Sequence, residues 1–194
     1  MTVQVLLWDF GDTLADERWM FRAPRAMPSW PDAWVKVMST HADRWNVGDV
    51  GMDEVFAQLA TRTGMAFSDV EAHARYCCQN LSFHESAWKL ARERGVPQAI
   101  VTVNPDLFAE FVVPAYDLSS TFDTIVMSYA EMTADKSALC GIALDRLGFR
   151  GDLSEAMLID NRADLVQGWT DAGGSGYWFQ SDELFKRDLG HLFD

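Results

Sequence analysis

The chain is poor in positive charge: Lys and Arg number 16 against 29 Asp and Glu, a formal net charge of −13. That balance repels phosphate backbones and anionic bilayer surfaces, so it argues against nucleic acid and membrane as partners. No apolar run approaches the roughly 18 residues that a membrane span needs. The first ten residues carry no basic side chain and reach Asp9 after a short apolar stretch, unlike a signal peptide, so a cytoplasmic location is expected. Cysteine is scarce as well. There are 3, two of them adjacent at Cys77 and Cys78, which excludes a disulfide framework and offers no paired metal-ligand spacing. Reduced thiols are expected. The 4 histidines include no pair at a metal-ligand spacing, and no internal repeat or low-complexity tract is visible.

What is present is an ordinary globular balance, 48% apolar and 23% charged over 194 residues, enough for one domain plus a modest insertion. Residues 3–8 form a short apolar, β-branched run that stops at the acidic turn Asp9-Phe10-Gly11-Asp12-Thr13, as a buried strand does. Similar runs recur at 98–103, 122–127, 156–159 and 176–179, separated by helix-like segments. The alternation predicts an α/β fold with a parallel sheet flanked by helices. Helix ends are expected at Asn104-Pro105 (an N-cap before proline), at Ser68-Asp69-Val70-Glu71 (capping-box spacing), and at Gly95 and Gly148 (C-terminal glycines).

Residues 15–83 differ in texture, with helical patterns at 53–63 and 68–80, no convincing strand, and Trp19, Trp30, Trp34 and Trp45 in the first half. They read as a helical insertion after the first strand, its opening broken into short pieces by Pro24, Pro28 and Pro31. The expected division is a core of residues 1–14 and 84–194 and an inserted helical unit of residues 15–83.

In an open α/β sheet, ligands bind beyond the carboxyl ends of the strands, near the point where strand order reverses. The polar residues at those ends are Asp9, Thr102, Lys136 and Asp160-Asn161. A carboxylate can act as a nucleophile while a second helps hold a divalent cation, and a hydroxyl and an ammonium can cradle a phosphoryl group. Together they point to phosphoryl transfer.

The set resembles the haloacid dehalogenase (HAD) superfamily. Its first motif is similar to Leu6-Leu7-Trp8-Asp9-Phe10-Gly11-Asp12-Thr13-Leu14, its second to Ile100-Val101-Thr102, its third to Lys136, and its fourth to Leu158-Ile159-Asp160-Asn161-Arg162-Ala163-Asp164, in the family's order over nearly the whole chain. The resemblance implies a Rossmann-like HAD fold in which residues 15–83 are a helical cap of the C1 type. It also implies a Mg²⁺-dependent hydrolase acting on a small-molecule phosphate ester. Asp9 would be nucleophile and metal ligand, with the Gly11 carbonyl and Asp160 as further ligands. Asp164 or Asn161 would reach the metal through water, while Thr102 and Lys136 bind the transferring group.

One position departs from the pattern: most family phosphatases carry a second Asp where Gly11 stands, protonating the leaving group and later activating water. Glycine can do neither, and a general acid or base is worth about 10² to 10⁴ in rate. The departure leaves open a substitution by Asp12, a preference for good leaving groups, a 2-haloacid dehalogenase, or a catalytically impaired phosphate-binding or regulatory relative. The phosphonate-cleaving branch is not adopted, because Lys36, the only lysine of the insertion, reads as a solvated position on an amphipathic helix. Arg18, Arg22, Arg25 and Arg44 are candidates to meet an anionic substrate. The tryptophans and Phe21 are expected to pack the insertion against the sheet.

Overall fold

The computed structural model describes residues 3–16, 20, 22, 24, 27–93 and 95–189. Five parallel strands, β1 (Val5–Trp8), β2 (Gln98–Thr102), β3 (Thr124–Met127), β4 (Ala156–Asp160) and β5 (Ser175–Trp178), form one sheet in the order β3-β2-β1-β4-β5. Between β1 and β2 lie α1 (Trp30–Asn46), α2 (Met52–Thr63), α3 (Phe67–Cys78) and α4 (Glu85–Glu93). A π-helical segment (Phe108–Val112) continues into α5 (Val113–Ala115) and is followed by α6 (Leu118–Thr121). After β3 come α7 (Ser128–Glu131) and α8 (Lys136–Arg146), then α9 (Ala163–Asp171) before β5 and α10 (Asp182–Leu189) after it.

The central strands β1, β2 and β4 are buried along nearly their whole length because both faces of the sheet are covered there. Alternation divides them: Leu6, Trp8, Ile100 and Ile159 face one cluster, and Val5, Leu7, Ala99, Val101 and Leu158 the other, against α8 and Trp169. The first cluster runs without a break into α1–α3 through Trp30, Trp34, Trp45, Phe56 and Leu59. Trp30 stacks on Trp34, and Trp34 meets Trp45 edge-on, so these rings pack on one another within the insertion. Trp19 and Phe21 lie outside the described residues. The inserted segment leaves and rejoins at one place, where Ala15 pairs with Phe83 and Asp16 N–H donates to Ser82 O at 2.9 Å.

Local signals were followed unevenly. Pro31, expected to break the chain, instead opens α1, where its missing N–H costs nothing. The capping box at Ser68–Glu71 is not formed: the N-cap of α3 is Ala66, two residues earlier, with Ser68 already in the first turn. Asn104 does not face the following helix either, and its amide turns back to donate to Thr102 Oγ1 at 2.7 Å. Gly148 adopts the left-handed conformation (φ 68°) that ends a helix, whereas Gly95 is not among the glycines with positive φ. Among the described residues no helix is long and apolar enough to cross a membrane.

Candidate active site

Strand order reverses at β1, which has β2 on one side and β4 on the other. Trp8 is level with Ile100 and with Ile159, so the next residue, Asp9, emerges beside Val101 and Asp160. The Asp9 N–H donating to Ile159 O at 2.9 Å extends the ladder by that one step. Lys136 arrives from the other direction as the first residue of α8, which is fixed by Asp135 accepting from Ser137 N–H and Ala138 N–H.

Lys136 is buried, and its ammonium is the hub of the group. Nζ donates to Asp9 Oδ1 at 2.6 Å and to Val101 O at 2.7 Å, and lies 2.9 Å from Asp160 Oδ2. The other Asp9 oxygen, Oδ2, accepts a longer bond from the Thr13 hydroxyl at 3.4 Å. Asp160 Oδ1 accepts from Arg162 N–H at 2.8 Å. Asp160 Oδ2 is different: it is buried and close to Nζ, but the contact lacks hydrogen-bond alignment and no other donor among the described residues reaches it.

Two carboxylates and one ammonium leave an excess negative charge in a poorly solvated place. Burial pushes the Asp9 carboxyl up to about 6; Lys136 opposes the rise and the Asp160 charge adds to it. Burial by itself would lower Lys136, yet Asp9 and Asp160 together outweigh it and hold the ammonium above its ordinary value. Lys136 is therefore a fixed cation.

A cavity of about 720 Å³ opens above this group, in the range typical of small-molecule sites. Its floor is Asp9, Lys136 and Asp160, with Asn161 and Arg162 beside them. The opposite wall comes from the end of α1 and the turn after it: Asp43, Arg44, Asn46, Val47 and Asp49.

The sequence candidates divide accordingly. Asp9, Lys136 and Asp160 converge. Thr102 is buried at the end of β2 with its oxygen accepting from Asn104, and lies outside the cavity lining. Asp12, with a left-handed backbone (φ 50°), is likewise not among the lining residues. Asp164 stands apart from the floor in the first turn of α9, 65% exposed and in a two-bond pair with Arg162. Arg44 lines the cavity, whereas Arg22 donates to Asn80 O at 2.6 Å; Arg18 and Arg25 lie outside the described residues. Lys36 is exposed on α1. Sequence reading missed Thr13 as a partner of Asp9, although a hydroxyl four residues after a carboxylate in a tight turn is a usable signal. It also missed the wall residues Asp43, Asn46 and Asp49, which have no signal of their own.

The donors suit a magnesium ion, which is commonly held by one or two carboxylates together with waters and substrate oxygens. Among the described residues no cluster of three or more His, Cys, Asp and Glu exists, so Asp9 and Asp160 would be the side-chain ligands. The buried Asp160 Oδ2, lacking a hydrogen bond, is the atom a cation would satisfy.

No family model matches the sequence, and no curated protein does. Solved structures do. A HAD family enzyme of Bacteroides thetaiotaomicron superposes with a TM-score of 0.72 at 16% identity over 100% of both chains. The chain has the HAD fold. Another structure of the Bacteroides HAD enzyme is a complex with magnesium and inorganic phosphate (TM-score 0.72, 15% identity, 99% of this chain and 100% of that one). The HAD fold is also shared with an L-2-haloacid dehalogenase of Xanthobacter autotrophicus that has chloropropionic acid covalently bound, at TM-score 0.67 and 18% identity over 98% of this chain and 83% of that one.

Proposed function

We propose that the chain is a HAD-type hydrolase, a Mg²⁺-dependent phosphatase that forms an aspartyl-phosphate on Asp9 from a small phosphate ester. The observation that carries this reading is the Lys136 ammonium, held between Asp9 and Asp160 on the floor of an open cavity. A second carboxylate at this point serves phosphate chemistry with a cation. The magnesium and phosphate complex of a structurally similar enzyme supports the same reading.

Lys136 engages Oδ1 of Asp9 at 2.6 Å, which leaves Oδ2, more loosely held by Thr13, as the attacking oxygen. Oδ2 forms a bond to phosphorus as the ester oxygen leaves; water then cleaves the acyl phosphate, returning Asp9 and releasing inorganic phosphate. Lys136 neutralises charge on the transferring group. Asp9, the Gly11 carbonyl and Asp160 would hold magnesium, which would supply further charge neutralisation. Of the two water-mediated candidates, Asn161 lines the cavity and is better placed than Asp164. With Gly11 in place of an acid, turnover favours esters whose leaving groups need little protonation. The helical insertion acts as the cap that covers the site, and the substrate is a soluble cytoplasmic metabolite.

The test is direct. Hydrolysis of p-nitrophenyl phosphate should require Mg²⁺, stop in EDTA and vanish in Asp9→Asn. Gly11 and the dehalogenase among the similar structures support a second reading, 2-haloacid dehalogenation. Chloride release from 2-chloropropionate that persists in EDTA would establish it in place of the first. Binding of phosphate without any turnover would instead mark an impaired, phosphate-binding relative.

A further inference from the structure

The cavity wall opposite Lys136 belongs to the corner between α1 and α2, and one distant carboxylate holds that corner. Gly51 precedes α2 and has no side chain with which to cap it. The free N–H of Met52 donates instead to Asp106 Oδ2 at 2.9 Å, 54 residues away, in the helical stretch after β2. The other oxygen, Oδ1, accepts from Trp45 Nε1 at 2.7 Å, near the end of α1. One carboxylate thus joins the end of one inserted helix to the start of the next, and both to the sheet domain.

A second anchor lies within the same corner. Gly48 has φ +78°, and a Cβ there would stand 2.9 Å from the backbone oxygen of Tyr129, so only glycine allows the corner to approach the start of α7 this closely. The Asp106 charge also acts on the Tyr129 hydroxyl, which desolvation and that charge hold above its ordinary pKa. Asp49 N–H donates to Arg44 O at 2.8 Å, tying the segment to itself between the anchors.

We infer that Asp106 is a positioning residue: its carboxylate fixes the α1–α2 corner so that Arg44, Asn46 and Asp49 meet the leaving group of the substrate. This rests on the phosphatase reading in placing the phosphate at Asp9 and Lys136. The leaving group then faces the charged and hydrogen-bonding side chains of that corner, while Val47, Val103, Ala134 and Leu165 supply the apolar part of the cavity lining. Asp106 touches no substrate. It acts through the corner.

The experiment compares the full-length wild type with Asp106→Ala and with Asp106→Asn, which preserves shape and one acceptor. Hydrogen exchange across residues 44–55 should quicken by about tenfold in the alanine variant and by less in the asparagine variant, as for loss of a local tether. KM for p-nitrophenyl phosphate should rise about fivefold or more with kcat and the inhibition constant of inorganic phosphate nearly unchanged, the mark of a lost leaving-group contact. Unchanged exchange, or a parallel loss of ester and inorganic phosphate binding, overturns the inference. If the wild type hydrolyses no phosphate ester, the phosphatase reading falls, and exchange in the asparagine variant alone decides whether Asp106 holds the corner.

Discussion

Lys136 Nζ lies 2.6 Å from Asp9 Oδ1, in a pair whose members are 127 residues apart in sequence and both buried. The pair does not compensate Asp9 fully, because Asp160 competes for the same ammonium at 2.9 Å and burial disfavours the carboxylate. A carboxyl raised in the folded state stabilises that state when protonated. Its contribution is complete below the unfolded value of 3.8 and is lost as pH rises through about 6. Without metal, Asp9→Asn should therefore be more stable than wild type near neutral pH, with the advantage fading toward about pH 4. The rise from 3.8 to about 6 corresponds to on the order of 3 kcal/mol at most. Urea unfolding in EDTA at both pH values checks it, and a variant less stable than wild type at neutral pH would contradict it.

Removing the cation should act in the opposite sense. Lys136→Met leaves Asp9 and Asp160 buried together without a counter-charge, and breaking a buried pair by deleting one partner typically costs about 3–5 kcal/mol. Lowering the pH should recover part of that loss as Asp9 takes up a proton. Equal losses at neutral pH and near pH 5, measured by denaturant midpoint, would mean that repulsion between the carboxylates is not the cause.

Asp160 gives a prediction independent of turnover. If its unbonded Oδ2 receives a cation, Mg²⁺ should stabilise the folded chain by about 2.7 kcal/mol at a concentration one hundred times its Kd. Asp160→Asn should abolish most of that gain while retaining the bond from Arg162 N–H. Thermal unfolding with and without Mg²⁺ reads the result, and an undiminished shift in the variant would place the ion elsewhere.

The polar centre was legible in the sequence because each member occupies a fixed place relative to a recognisable element. Asp9 and Asp160 end apolar strand runs, Lys136 opens a helix, and parallel pairing around a central β1 brings them together. The reading at Pro31 failed because proline both breaks a helix and starts one, and only the packing of Trp30 and Trp34 decides which. Ser68 failed for a related reason: the burial of Val70 and Ala74 sets the phase of α3 whatever the capping preference two residues beyond its N-cap. The wall of the cavity was not legible at all. Asp106, Trp45 and Met52 meet only once the insertion is folded onto the sheet, and no local pattern announces a contact over 54 or 61 residues.

The cysteines should behave as core side chains. Burial pushes Cys77 up to about 11 and Cys140 up to about 12, and raises Cys78 further. A thiol raised in the folded state contributes stability that is present below the unfolded value of 9.0 and lost as pH climbs toward the folded ones. Ellman's reagent at about pH 8 should label none of the 3 cysteines in the folded chain and all of them in denaturant. The denaturant midpoint should fall between about pH 8.5 and pH 10.5; rapid labelling of a folded thiol would show that its surroundings are open.

Gly11 is where chemistry and sequence are most at odds. The turn after Asp9 is held by the Phe10 carbonyl, which accepts from the N–H groups of Thr13, Leu14 and Ala15, and those bonds do not involve a side chain at position 11. Gly11→Asp restores an acid two residues after the nucleophile at a buried position. If leaving-group protonation limits turnover, Gly11→Asp should accelerate hydrolysis of an alkyl phosphate by about 10² or more, within the usual range for general acid catalysis. Hydrolysis of p-nitrophenyl phosphate should gain far less, since nitrophenolate departs without a proton. The ratio of the two kcat/KM gains is the measurement, because any change in folding or metal binding affects both substrates alike and cancels. A ratio near one would show that protonation is not what glycine removed.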